Sequence, residues 1–167
     1  MPVVKQKITP CLWFDTQAEE AARFYVSVFP NSRLGHISRY GKVGQDVHGK
    51  PPGSVMVAEF TLDGQPFIAL NGGPQFKFSE AVSFQIFCET QDDIDHYWSK
   101  LTQGGGQESM CGWLKDKYGL SWQVVPAALP QMLADADAGT VDRVMASVMS
   151  MRKFDLAALR QAHAGIG

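Results

Sequence analysis

Apolar and polar positions alternate from Lys7 to Phe14, with Ile8, Pro10, Leu12 and Phe14 on one face and Thr9, Cys11 and Trp13 on the other. A period of two predicts a strand. Pro10 has no N–H to give to a ladder, which favours a sheet edge or a strand end. The period then lengthens. Ala18, Ala21, Ala22, Tyr25 and Phe29 recur at helical spacing, with Asp15 or Thr16 as the expected N-cap and Glu19 and Glu20 in the first turn, where they suit the helix dipole. Pro30-Asn31 stops that helix. Arg33 to Tyr40 reads as a second strand and the Gly- and Pro-rich stretch from Gly41 to Gly53 as a mobile loop. Ser54 to Leu62 and Gln65 to Leu70 are joined by Asp63-Gly64, a strong hairpin signal.

The order β-α-β-β-β then begins again. Val82 to Glu89 reads as a strand, and Thr90-Gln91 opens a helix carrying Asp92, Asp93 and Asp95 early and Ile94, Tyr97, Trp98 and Leu101 at three- and four-residue spacing. Gly104-Gly105-Gly106 ends it. A short strand is expected near Gln107 to Cys111, followed by a hairpin whose arms, Trp113 to Lys115 and Leu120 to Val125, flank Asp116-Lys117-Tyr118-Gly119. Leu120, Trp122 and Val124 share one face of the last arm, and Ser121, Gln123 and Val125 the other. A large apolar face opposite a partly polar one suits a strand with a helix behind it and a cavity in front. Asp15-Thr16-Gln17 and Glu89-Thr90-Gln91 occupy the same strand-to-helix junction, so the halves read as a diverged repeat.

After Pro126 the pattern is helical. Leu129, Met132 and Leu133 mark a short piece; Thr140 is expected to cap a second, with Val141, Val144, Met145, Val148 and Met149 on its stripe; Asp155 is expected to cap a third carrying Leu156 and Leu159. The Met-rich stripe reads as core or subunit contact. The fold class is therefore α+β. We expect one domain over residues 1–167, with module one at about 7–74, module two at about 80–126 and a helical extension at 127–167 that supports a homodimer.

Charge and composition narrow the partners. Lys and Arg number 15 against 17 Asp and Glu, interspersed, so neither a basic stripe for nucleic acid nor a polybasic membrane patch is present. A small-molecule ligand is expected. No stretch approaches 18 apolar residues. Cys11, Cys88 and Cys111 are odd in number and widely spaced, which reads as reduced thiols in a cytoplasmic protein.

Phe14-Asp15, Glu20-Ala21 and Phe24-Tyr25, with Leu62-Asp63-Gly64, Asn71-Gly72-Gly73-Pro74, Ser83-Phe84-Gln85, Asp95 with Trp98, and Cys111-Gly112-Trp113 through Asp116, Gly119, Ser121-Trp122-Gln123 and Pro126, carry a resemblance. The chain resembles the vicinal oxygen chelate superfamily of glyoxalases, bleomycin-resistance proteins and extradiol dioxygenases, and within it the PhnB-like, demethylubiquinone methyltransferase-like branch. The resemblance implies tandem modules with curved sheets around a cavity. In metal-dependent members four side chains hold a divalent ion, and matching strand to strand puts those positions at about Thr9, Ala69, Ser83 and Gln123, to within one residue on the first strand. None is His or Glu, and Ala69 can supply no ligand. No cofactor is therefore expected, with a divalent ion as the alternative.

The candidate ligand-binding residues are Thr9, Trp13, Asn71, Ser83, Gln85, Trp113 and Gln123. The polar ones would hydrogen-bond a small ligand or one another, and the two tryptophans would stack on a flat one. Trp98 and Trp122 are expected between helix and sheet. Glu59 is a candidate general base, and Cys11 and Cys111 are candidate nucleophiles that would each need a neighbour to lower the thiol pKa. The leading expectation is a metal-free small-molecule-binding protein. The alternatives are a lyase, isomerase or dioxygenase-type enzyme of the same superfamily, a methyltransferase as the branch label suggests, or a partner-binding module using the Met-rich helices. Gly104 to Gly106 follows a helix rather than a strand, and no glycine-rich loop follows a first strand, as a nucleotide-type cofactor would require.

Overall fold

A computed structural model describes residues 6–166. The predicted first strand is shorter than its alternation: β1 runs Cys11–Phe14, and Ile8 lies outside it, 86% exposed. Pro10 explains the late start. It can only accept, and its carbonyl takes the Ile68 N–H (2.9 Å) at the entry to the ladder. Helix α1 is Ala18–Val28 and β2 is Arg33–Arg39. The loop expected to be mobile holds one helical turn, α2, Gln45–His48. Strands β3, Val55–Leu62, and β4, Gln65–Asn71, meet at Asp63-Gly64, where both residues have positive φ (45° and 81°), as a primed two-residue turn requires. The sheet order is β1-β4-β3-β2, with β1 parallel to β4 at the edge.

The second unit repeats the plan with β5, Ser83–Cys88, α3, Gln91–Thr102, β6, Gln107–Glu108, β7, Trp113–Lys115, and β8, Ser121–Pro126, in the order β5-β8-β7-β6. Neither sheet closes on itself. One compact unit ends at Lys77 and the other begins at Phe78. In the first, Tyr25 of α1 stacks on Phe60 (6.0 Å), and Phe60 on Phe67 (5.3 Å), over a face that also buries Leu12, Ala58 and Ala69. In the second, α3 packs across β5, β7 and β8 with Ile94, Trp98 and Leu101 buried, and Phe84 meets Trp122 at 5.7 Å. Trp98 and Trp122 are both buried, as expected.

Caps differ from the sequence reading where tertiary structure offers a better acceptor. Neither Asp15 nor Thr16 caps α1; Gln17 stands at the cap without a side-chain bond, and Asn71 Oδ1, at the end of β4, accepts the Ala18 N–H (2.8 Å). Thr90 caps α3 as predicted, accepting from Asp93 N–H (3.2 Å).

The C-terminal helices are α4, Leu129–Leu133, α5, Ala138–Ser150, and α6, Leu156–Ala164. Asp137 rather than Thr140 caps α5, accepting both the Thr140 N–H (2.9 Å) and its hydroxyl (2.7 Å), and Asp155 caps α6. Of the predicted stripe, Val144 and Val148 are core and pack with Val125, Leu129, Met132, Phe154 and Leu159, whereas Val141 and Met145 are half-buried and Met149 is exposed. Gln91 fastens the extension to the module, its Nε2 donating to Phe154 O (3.0 Å) and its Oε1 accepting the Leu156 N–H (2.8 Å). Cys111 and Gly112 donate to the carbonyls of Met151 (2.7 Å) and Arg152 (2.8 Å). Among the described residues no helix is long and apolar enough to cross a membrane.

Candidate functional site

Strand register decides which candidates share a face. In the first sheet Cys11 stands opposite Ile68, and Ile68 opposite Glu59; these alternate with the buried positions Leu12, Ala69 and Ala58. Cys11 and Trp13 therefore lie on the face away from the packed one, with Glu59, Ile68 and Leu70. Ala69 points the other way and is fully buried. The neighbours on its strand that do lie on the open face, Ile68 and Leu70, are hydrocarbon and equally unable to ligate. Thr9 precedes β1 and its hydroxyl donates to Gln6 O (2.8 Å).

Two first-unit candidates are occupied by their own chain. Asn71 is buried; besides accepting from Ala18 it donates through Nδ2 to Val55 O (3.1 Å), and its carbonyl accepts from Tyr40 Oη (2.6 Å). Trp13 Nε1 donates to Gly73 O (2.9 Å), and its ring meets Phe76 edge-on at 4.9 Å. Glu59 is buried on the interior strand β3, not at the surface. Cys11 is exposed at the sheet edge, yet the atoms packed around its sulfur push its thiol above the usual value. A thiol shifted upward holds less thiolate at neutral pH.

The second sheet gathers the other candidates. Ser83 stands opposite Ser121, Gln85 opposite Gln123, and Trp113 opposite Gln123 from the other side, so all share the face opposite Phe84, Trp122 and Leu114. Gln123 Nε2 donates to Ser83 Oγ (2.9 Å), and Gln85 Nε2 reaches Gln123 Oε1 at 3.4 Å. The result is a row of neutral donors and acceptors across β5 and β8, with Trp113 beside it. Cys111 has positive φ (58°) and packs against the C-terminal hydrophobic cluster. Buried Cys88 is pushed up to about 12 by burial and by the Asp93 charge, which leaves it a thiol at neutral pH.

A hollow lies in each unit. The larger, about 660 Å³, lies in the first unit between the start of α1 and the segment around Lys50; Asp15, Glu19, Glu20 and Arg23 line it. Arg23 pairs there with Glu19 (2.8 Å), and Asn71, its one candidate residue, has its side chain committed elsewhere. The smaller, about 310 Å³, lies in the second unit against Trp113, Lys115, Ser121 and Glu80. Size favours the first, but the second contains a fully buried hydroxyl, Ser121 Oγ, without a hydrogen-bond partner among the described residues. An unmet buried donor is the stronger indication of a ligand. Sequence reasoning set Ser121 on the same face as Gln123 but passed over it, Lys115 and Glu80. The alternation of β7 and β8 was the available signal.

The chemistry of the donor set does not fit a divalent ion. Ser83 and Gln123 bond to each other, Ala69 is turned away, and among the described residues no group of three or more His, Cys, Asp or Glu is placed to hold a metal.

Residues 6–125 match the family model of 3-demethylubiquinone-9 3-methyltransferase. The chain belongs to this family. The match stops within β8, so α4, α5 and α6 of this 3-demethylubiquinone-9 3-methyltransferase family member lie beyond it. It is 40% identical to the PhnB protein of Bacillus cereus, over 73% of this chain and 100% of that one, with a TM-score of 0.65. A Pseudomonas aeruginosa protein of known structure is 17% identical over 73% and 98% of the two chains, with a TM-score of 0.57. The fosfomycin resistance protein FosX of Mesorhizobium loti is 14% identical over 79% and 99%, with a TM-score of 0.54. At these lower identities the likeness concerns the fold. The family is the PhnB-like, demethylubiquinone methyltransferase-like branch that the sequence resemblance named, and its fold is shared with FosX. No curated protein matches the chain.

Proposed function

We propose that the protein is a metal-independent binder of small, flat carbonyl compounds, which it holds on the open face of the second sheet. The observation that carries this reading is the Ser83–Gln123–Gln85 row flanked by Trp113. Amide donors suit carbonyl oxygens, and an indole suits a ring. Methyl transfer, which the family name suggests, finds less support: the strand-to-helix junctions Asp15-Thr16-Gln17 and Glu89-Thr90 contain no glycine and form no phosphate-type cradle. A general-base reaction at buried Glu59 is a second reading, favoured by that burial alone.

Tryptophan fluorescence titrated with 4-hydroxyacetophenone tests the proposal. Saturable quenching is expected, and Gln85→Ala with Gln123→Ala should weaken it roughly 10- to 100-fold, as the loss of two hydrogen bonds implies. Unaltered binding in the double variant, or a stoichiometric divalent ion that survives dialysis, would contradict it.

A further inference from the structure

The hollow against β7 shares only Trp113 with the glutamine row, and its polar chemistry is different. Register places Ser121 between Ser83 and Lys115 on one face. The Ser83 hydroxyl is taken by Gln123, whereas Ser121 Oγ, fully buried, is met by no partner among the described residues. Among the described residues Lys115 supplies the one positive charge lining the hollow, and it pairs with Glu80. The two partners are unequal: the Lys115 side chain is 35% exposed and that of Glu80 is 61% exposed, on the segment leading into β5. A solvated carboxylate on a connecting segment is a weakly held counter-ion. It satisfies the ammonium and leaves the buried hydroxyl unmet.

We propose that this hollow is a carboxylate-binding pocket for single-ring aromatic acids, in which the Lys115 ammonium and the Ser121 hydroxyl donate to the ligand carboxylate and Glu80 is the internal counter-ion it displaces. A carboxylate brings two oxygens, one for each donor, and Trp113 offers its indole to the ring. The volume of about 310 Å³ lies at the small end of ligand pockets, which suits one ring rather than two. Glu80 shows the contact a ligand carboxylate would make: the Lys115 ammonium beside it holds its carboxyl below the usual range.

Calorimetric titration with benzoate, with benzamide as the neutral isostere, tests the assignment in the Gln85→Ala/Gln123→Ala variant, whose glutamine row no longer offers benzamide a competing site. Benzoate should bind saturably and at least roughly tenfold tighter than benzamide. Lys115→Met should erase that preference. Ser121→Ala should weaken benzoate roughly tenfold while leaving the unfolding midpoint unchanged or higher, because it removes an unmet buried group. Glu80→Gln should tighten benzoate several-fold by removing the competitor. Gln85→Ala with Gln123→Ala should leave benzoate binding intact, so the glutamine-row reading and this one fail separately. Absence of saturable benzoate binding, equal affinity for benzamide, a Glu80→Gln variant that binds no tighter, or inorganic phosphate bound in preference to benzoate would each overturn the proposal.

Discussion

Replacing Gly112 with alanine probes the joint between the second module and its helical extension. Gly112 has a φ of 78°, and a Cβ there would lie 2.4 Å from Phe154 Cε2 and 2.8 Å from Val124 O. Neither neighbour can yield cheaply, because Phe154 is 1% exposed within the cluster of Val144, Val148 and Leu159 and Val124 belongs to β8. The left-handed backbone costs an alanine about 1–2 kcal/mol, and overpacking costs about 1–3 kcal/mol more, so Gly112→Ala should lose about 2–5 kcal/mol. With a urea slope of about 2 kcal/mol/M, the unfolding midpoint, followed by far-UV circular dichroism, should fall by about 1–2.5 M. Phe154→Ala should itself cost about 3–5 kcal/mol. In the double variant the new methyl meets no ring, so the combined loss should fall short of the sum by about 1–3 kcal/mol. Strict additivity, or a Gly112→Ala midpoint matching the parent, would refute the reasoning.

Two further outcomes follow from single side chains. Asn71→Ala leaves the Ala18 N–H and the Val55 carbonyl without their partner and should cost about 1–3 kcal/mol in thermal or urea unfolding; a neutral result would mean that water replaces both bonds. The Thr140 hydroxyl and N–H hold the Asp137 carboxyl below the usual carboxylate range. Because its folded-state pKa is depressed, the contribution is complete above the ordinary value of about 3.9 and fades as pH falls through the lower one. The gap in urea midpoint between parent and Asp137→Ala should therefore be steady from about pH 7 to 5 and shrink below about pH 4; a gap unchanged in strong acid would show that the cap does not depend on charge.

Much of the architecture was legible because hydrophobic period and turn chemistry agree locally. Asp63-Gly64 announces its hairpin through the two positive φ values it must adopt, and Thr90 with its trailing aspartates announces α3. What sequence could not supply is whatever a distant residue decides. Asn71 lies 53 positions from the helix N–H it caps, so the sequence suggested a local cap for α1 and a ligand role for Asn71. Thr140 has the right chemistry for a cap, but Asp137 begins the helix three residues earlier. Period-two alternation did bring Ser83, Gln85, Trp113 and Gln123 to one face, yet it gave no sign that Ser121 would lack a partner, which only atomic packing reveals.

The row formed by Ser83, Gln123 and Gln85 has a property that no charged site shares. A serine hydroxyl both gives and takes a proton, and each carboxamide can rotate by half a turn to exchange its oxygen and nitrogen. The polarity of the chain can thus reverse end to end without a change of protonation or backbone. A surface of that kind can meet an incoming oxygen or an incoming N–H with equal readiness.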